Sequence, residues 1–173
     1  MDDDARALLL RQFDTAWKLA QVHLETLSTE ECLWQPAPVG LNVHETPDGW
    51  CGEWPEHERY SLGPPSIAWL TWHIGFWWSM VLDRSFGAGE LTRDRVRWPG
   101  TADGVRDWLS RLAAEWRARL EATAAEELRS AQRTRWPFTL RPFADVVAWV
   151  NTELVKNAAE IGYARFLYAA RQR

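Results

Sequence analysis

The stretch from Ser66 to Phe86 constrains the fold of this chain more than any other part of the sequence. It is the most apolar segment, with two prolines directly before it and Gly87 and Gly89 directly after it. Prolines fix the entry to a helix and glycines commonly end one. The pattern therefore predicts a helix from Ser66 to about Phe86. A helix this apolar is stable only when other secondary-structure elements bury it.

Three other segments carry apolar residues at intervals of three and four, the period of a helix with one buried face. Together with Ser66–Phe86 they predict an all-α fold, a four-helix bundle in a single domain over residues 1–173. The three segments run from Asp3 to about Leu27, from Thr101 or Asp103 to about Leu128, and from Phe143 to Arg171.

The connection between the first two helices is long. Ten prolines and glycines lie between Pro36 and Pro65, and they predict irregular structure for about thirty residues. A loop of that length in a compact domain is usually functional. The one β-like stretch in the sequence runs from Arg135 to Leu140.

Composition excludes several classes of protein. The chain has 24 acidic and 20 basic residues with no basic patch, so we expect no nucleic-acid partner. The longest apolar run, Ile67 to Leu82, is interrupted by His73 and is shorter than the roughly 20 residues of a membrane span. Cys32 and Cys51 form no CxxC motif, and the acidic start Met1–Asp4 is unlike a signal peptide. We therefore expect a soluble, cytoplasmic protein.

His73 is the most informative polar residue, because it lies on the same helical stripe as Leu70, Trp77 and Met80. A core imidazole without a hydrogen-bond or metal partner costs on the order of 1–3 kcal/mol. A carboxylate such as Glu153, or a backbone carbonyl, would satisfy it in an ordinary core. A metal ion is the other kind of partner.

The last helix offers three oxygen-bearing side chains. Glu153, Asn157 and Glu160 are spaced so that they fall within about 60° of one another on a helical wheel. Facing inward, they would meet His73 and form a mixed site for Zn, Ni, Mn or Fe with open positions. The alternative is a solvated face, because Thr152 and Lys156 continue the same polar arc. Both interpretations of His73 make Glu153 its expected partner.

Tryptophan is unusually abundant, with 13 residues. Flat indoles can wall a pocket for apolar or aromatic ligands. In the long loop, His44 and His57 stand among acidic residues such as Glu58, and the loop either covers a site or leaves these histidines exposed. The predicted pocket walls are Trp69, Trp72, Trp77, Trp149, Trp50 and Trp54.

The order of helices and two segments resemble the DinB-like superfamily. The segments are Leu27–Pro36, with the sequence LSTEECLWQP, and Ser66–Ile74, with the sequence SIAWLTWHI. The resemblance implies an up-down-down-up bundle. In such bundles a histidine of the second helix joins two ligands, four residues apart on the last helix, around a divalent metal.

His73 matches the first of these family ligands, and Glu153 fits the second. Asn157 stands where the family has histidine, and a neutral amide is a much weaker ligand for a late transition metal. Glu160, one turn further on, could replace it as third ligand or act as a catalytic base. The resemblance then implies a metal-dependent S-transferase or isomerase that uses a low-molecular-weight thiol and acts on a small molecule.

Two other functions fit the same residues. A metal-free bundle would bind or sequester a small molecule, with His73 and Glu153 as a buried hydrogen-bonded pair. A structural role as a homodimer is the third, because superfamily members resemble one another in pairing through helix faces.

Overall fold

Four long helices account for most of the structure, a computed structural model that describes residues 2–57 and 59–171, with the side chains of residues 2–4 excepted. Two predictions from the sequence therefore lie outside the described part. One is that the acidic side chains of Asp2 to Asp4 complement the dipole at the start of the first helix, and the other is the role of Glu58 in the loop. The long helices are α1 (Asp2–Leu24), α3 (Ile67–Phe86), α4 (Ala102–Ala122) and α6 (Phe143–Ala170), and the short ones are α2 (Thr29–Leu33) and α5 (Ala125–Arg129).

Side-chain caps set the starts of three helices. Ser66 Oγ accepts a hydrogen bond from the Trp69 amide at 3.1 Å, and Thr101 Oγ1 accepts one from the Gly104 amide at 3.1 Å. Ser28 caps α2 in the same way. Because such caps satisfy amides that have no partner inside the helix, they fix its first residue. The third predicted helix divides at Thr123, where α4 ends and the chain turns into α5.

The contacts between the long helices confirm the up-down-down-up order. Arg6, near the start of α1, donates to the Thr123 carbonyl at the end of α4 at 3.0 Å, and Arg106, near the start of α4, donates to the Leu24 carbonyl at the end of α1 at 3.4 Å. These two helices are therefore antiparallel. The Asn151 side chain, near the start of α6, donates to the Leu9 carbonyl of α1 at 3.0 Å, and Arg165 reaches the His23 carbonyl at 2.6 Å. Helices α1 and α6 are therefore parallel.

The other two pairs of neighbours complete the ring of four. Phe86 packs edge to face against Trp116 of α4 and against Phe143 of α6, with ring centroids 6.2 and 5.7 Å apart. The end of α3 therefore lies near the end of α4 and the start of α6. Helix α3 runs parallel to α4 and antiparallel to α6.

Tryptophans fill much of the core between these helices. Trp72, Trp77, Trp78, Trp98 and Trp116 are each at most 1% exposed. Some of their indole N–H groups have carbonyl or hydroxyl acceptors, as with Trp72, which donates to the Val96 carbonyl at 3.0 Å. Within residues 2–57 and 59–171, no helix combines the length and the apolar character needed to cross a membrane.

The loop between α2 and α3 is more regular than the sequence predicts. It contains an antiparallel hairpin of β1 (Val43–Thr46) and β2 (Gly49–Gly52), which pairs Val43 with Gly52. Strands of four residues give too little alternation to detect in a sequence. The Trp98 amide fastens the hairpin by donating to the Trp50 carbonyl at 2.9 Å.

The β-like stretch Arg135–Leu140, in contrast, forms no strand. Leu140 has a φ of 63°, which is outside the β region. A strand also needs a partner to receive its hydrogen bonds, and in the described chain the only sheet is the β1–β2 hairpin.

Replacing Gly75 by alanine tests the close approach of α3 to α4. A Cβ on Gly75 would lie 1.8 Å from the Trp108 ring, so the helices must shift or the indole must leave. We expect Gly75→Ala to lower the free energy of unfolding by about 1–3 kcal/mol in urea titrations. Ser79→Ala, one turn further along α3, is the control and should change it by less than about 0.5 kcal/mol.

A second substitution makes that test specific. If the clash is the cause, adding Trp108→Leu to Gly75→Ala should cost less than Trp108→Leu costs in the native background. Equal costs in the two backgrounds would contradict this packing.

Candidate functional site

His73 lies on α3 beneath an aromatic surface. Its imidazole stacks on the Trp69 indole, with ring centroids 4.8 Å apart and planes 11° from parallel. One helical turn separates the two residues, which places both rings on the same face. The indole N–H of Trp69 donates to the Glu53 carbonyl of the loop at 2.7 Å, so the loop holds the ring in place.

The environment keeps His73 neutral. Burial and, after it, the positive charge of Lys156 lower the pKa of the imidazole to about 4, and the hydrogen-bonding influence of Asn157 offsets part of this decrease. The Nδ1 atom is buried and has no hydrogen-bond partner in the described part of the chain. At neutral pH the ring is therefore an uncharged, largely enclosed imidazole.

Both ends of the Asn157 amide make hydrogen bonds, one across to α3 and one along α6 itself. Its Oδ1 accepts a hydrogen bond from the Trp77 indole at 3.2 Å, and its Nδ2 donates to Glu160 Oε2 at 2.9 Å. Asn157 is completely buried. The indole N–H can only donate and the carboxylate only accept, so the two bonds fix which way the amide points.

Glu153 does not take the role that the sequence analysis gave it. Its carboxylate lies 3.5 Å from the Lys156 ammonium group, and 20% of its side chain is exposed. No hydrogen bond joins it to His73 among the residues that the structure describes, and the polar residue of α6 that influences the imidazole is Asn157. The prediction of a His73–Glu153 pair was therefore wrong.

The polar arc of α6 is accordingly divided. Thr152 and Lys156 are exposed and form the solvated face that was the alternative interpretation, while Asn157 is in the core and Glu160 is half-buried. The wheel could not separate these positions, because a residue's exposure here depends on which neighbouring helix covers it.

The donor groups do not fit a metal held by three protein ligands. In the described ranges, no three His, Cys, Asp or Glu side chains come together as a metal site would require. The Asn157 oxygen already accepts from Trp77, and Glu160 is held by Asn157. The ammonium group of Lys156 near His73 also opposes a cation there. Binding of Zn, Ni, Mn or Fe by His73, Glu153, Asn157 and Glu160 stays a prediction.

An open cleft of about 840 Å³ lies between the long loop, the start of α3 and α6. Its walls combine apolar side chains with two basic residues and one acidic residue. The wall residues include Leu41, Arg59, Tyr60, Trp69, Lys156 and Glu160.

Of the six tryptophans predicted to wall a pocket, Trp69 lines this cleft. Four of the others lie in the core or on its border, where they pack against one another or against neighbouring rings. Trp72 and Trp77 are fully buried, Trp149 packs on Trp77, Trp50 packs on Trp98, and Trp54 is 45% exposed beneath the Arg93 guanidinium.

Sequence reasoning missed the loop side of the cleft. Arg59 and Tyr60 belong to no periodic pattern, so no signal marked them. Lys156 could have been found, because it precedes Glu160 by four residues on one helical face. His44 and His57 are both exposed, in agreement with the simpler of the two interpretations given for them.

The comparison with protein families gives a match. A sequence model described as the DinB superfamily matches residues 12–161, which include α3, the cleft residues and most of α6. No curated protein and no solved structure matches the chain.

The buried neutral imidazole predicts how stability depends on pH. His73 has a pKa near 6.5 when unfolded and about 4 when folded, so the unfolded chain binds the proton first as the pH falls. Stability should be complete above pH 6.5 and decrease toward pH 4, by about 3 kcal/mol in total. In urea titrations between pH 7.5 and 4.5, the free energy of unfolding of His73→Leu should decrease less than that of the native protein.

A control variant separates the contribution of His73 from those of other titrating groups. Burial and the nearby Arg165 also lower the pKa of His23, and carboxylates titrate below pH 5, so the His73→Leu variant keeps some dependence of stability on pH. His44→Gln, which removes an exposed histidine, should leave the slope unchanged. A His73→Leu profile parallel to that of the native protein would contradict the buried neutral state.

Proposed function

Because the chain belongs to the DinB superfamily and its donor groups do not fit a three-ligand metal centre, we propose that it is a metal-free, small-molecule-binding bundle. The ligand occupies the cleft beside Trp69. The single observation that carries the proposal is this cleft, because one of its walls is an indole that both the loop and His73 hold in place.

The size and chemistry of the cleft support ligand binding. Small-molecule sites are concave, mostly apolar and range from roughly 300 to 1,000 Å³, with a few polar groups that orient the ligand. The cleft of about 840 Å³ falls within that range, and Leu41, Tyr60 and Trp69 supply apolar and aromatic surface. A rigid indole binds flat ligands with little loss of conformational freedom.

In this proposal His73 is a positioning residue. Its ring stacks on Trp69, which lines the cleft, and the low pKa of the imidazole keeps charge out of the stack. Asn157 holds Glu160 at the cleft in a similar way. The residues that match the family's ligand positions would then serve the shape of a binding site.

The metal-dependent enzyme is the rival proposal. It would use a low-molecular-weight thiol in an S-transfer or isomerisation, with Glu160 as ligand or base. To form a centre with His73, Glu153 must leave Lys156 and Glu160 must leave Asn157. The unpartnered Nδ1 of His73 is the observation that favours it. The homodimer and the cytoplasmic location stay predictions.

Metal analysis separates the two proposals. Protein purified without a histidine tag and dialysed against Zn, Ni, Mn or Fe should contain much less than one ion per chain by elemental analysis. His73→Ala should not change that content. One divalent ion per chain in the native protein, lost in His73→Ala, would overturn the metal-free proposal in favour of the enzyme.

Binding of a neutral aromatic dye tests the cleft itself. N-phenyl-1-naphthylamine should bind the native protein, and Trp69→Leu should weaken this binding by about fivefold or more, because one aromatic wall is lost. Trp34→Leu is the matched control, since Trp34 packs on Tyr168 and does not line the cleft. Absence of dye binding, or equal losses in the two variants, would count against the proposed site.

A further inference from the structure

The cleft carries opposite charges on one helix. Lys156 and Glu160 are separated by one turn of α6, and both line the cleft. Side chains at this spacing have Cβ atoms about 5–6 Å apart and commonly form an ion pair. Arg59 adds a second positive charge from the loop.

These opposite charges do not neutralise each other. The Lys156 ammonium group lies 3.5 Å from Glu153 Oε2, and Glu160 Oε2 accepts the Asn157 amide at 2.9 Å. In the described residues, no ion pair joins Lys156 to Glu160. Glu153 offsets part of the Lys156 charge, and Arg59 adds a positive charge to the lining. We call Lys156 with Arg59 the positive end of the cleft and Glu160 its negative end.

The negative end is built into the core. Asn157 is completely buried and is itself held by the Trp77 indole, so the carboxylate of Glu160 has a fixed anchor. The bond to Asn157 uses Oε2 and leaves Oε1 able to accept a hydrogen bond. The positive end is more adaptable, because 53% of the Lys156 side chain is exposed.

We propose that the cleft binds a zwitterion with an apolar body, of the α-amino-acid type. Its ammonium group binds Glu160, its carboxylate binds Lys156 and Arg59, and its side chain lies against Trp69. This inference rests on the proposed function and names the ligand class of the same site.

Charge arithmetic favours the zwitterion over simpler ligands. An anion without an ammonium group would leave Glu160 unpaired beside it, and a cation without a carboxylate would face Lys156 and Arg59. Charge-assisted hydrogen bonds are the stronger ones, and an unpaired charge at a site opposes binding. The volume of the cleft leaves room for an aromatic side chain or a larger one.

Three compounds with the same phenyl body separate these cases. L-Phenylalanine carries both charges, 2-phenylethylamine carries the ammonium group, and 3-phenylpropanoate carries the carboxylate. Isothermal titration of the native protein should show L-phenylalanine binding at least about tenfold more tightly than either of the others.

Two substitutions test whether Glu160 binds the ammonium group of the ligand and Lys156 binds its carboxylate. Glu160→Gln keeps an oxygen that can accept from Asn157 and removes the charge, so L-phenylalanine should lose most of its advantage over 3-phenylpropanoate. Lys156→Gln should reduce its advantage over 2-phenylethylamine. Glu126→Gln and Lys18→Gln, both at exposed positions outside the cleft, are the matched controls and should leave all three affinities unchanged.

The outcomes distinguish this inference from the function on which it rests. If the neutral dye binds beside Trp69 but the three phenyl compounds bind equally or do not bind, the zwitterion proposal is overturned and the binding site stands. If the dye does not bind either, both proposals fail. Should Glu160→Gln not fold, the Lys156→Gln variant, altered at an exposed side chain, decides the question alone.

Discussion

The hydrogen bonds of Asn157 determine the character of the site. A buried amide must satisfy both its oxygen and its nitrogen, and here Trp77 of α3 and Glu160 of α6 do so. The same two bonds join neighbouring antiparallel helices and orient a carboxylate at the cleft. One side chain thus couples the packing of the core to the chemistry of the surface.

Asn157 also shows how one buried position can alter the bonds that a site offers while the fold is kept. A histidine at this position could bind a metal, whereas an amide makes its bonds to the protein instead. With Glu153 beside Lys156, the imidazole of His73 is left with a ring stack and an enclosed Nδ1. The fold depends on apolar packing that these substitutions do not disturb, which is why fold and function have to be argued separately.

Much of the fold could be predicted from the sequence, because helical periodicity is a local signal. The helix bounds follow from Ser66, Thr101 and Gly87, whose capping roles are readable in the chain. The hairpin was missed because strands of four residues show too little alternation, and because Trp98, whose amide bonds to the hairpin, lies far away in the sequence.

The site was less predictable, because it depends on distances between helices. Spacing alone places Glu153, Asn157 and Glu160 on one arc, and it cannot show which of them the neighbouring helix covers. Whether Glu153 pairs with Lys156 or with His73 depends on how α3 and α6 pack, which a helical wheel does not show. Loop residues such as Arg59 reach the cleft only through tertiary structure.

The position of Trp69 between two environments has a thermodynamic consequence. One face of the indole excludes water from an imidazole, and the ring also forms part of the cleft wall. A molecule that rotates the indole on entering would hydrate the imidazole, and the pKa of His73 would rise toward that of a free histidine. Binding of such a molecule would then be accompanied by binding of a proton. By linkage, a lower pH would favour the form of the protein in which the indole is displaced.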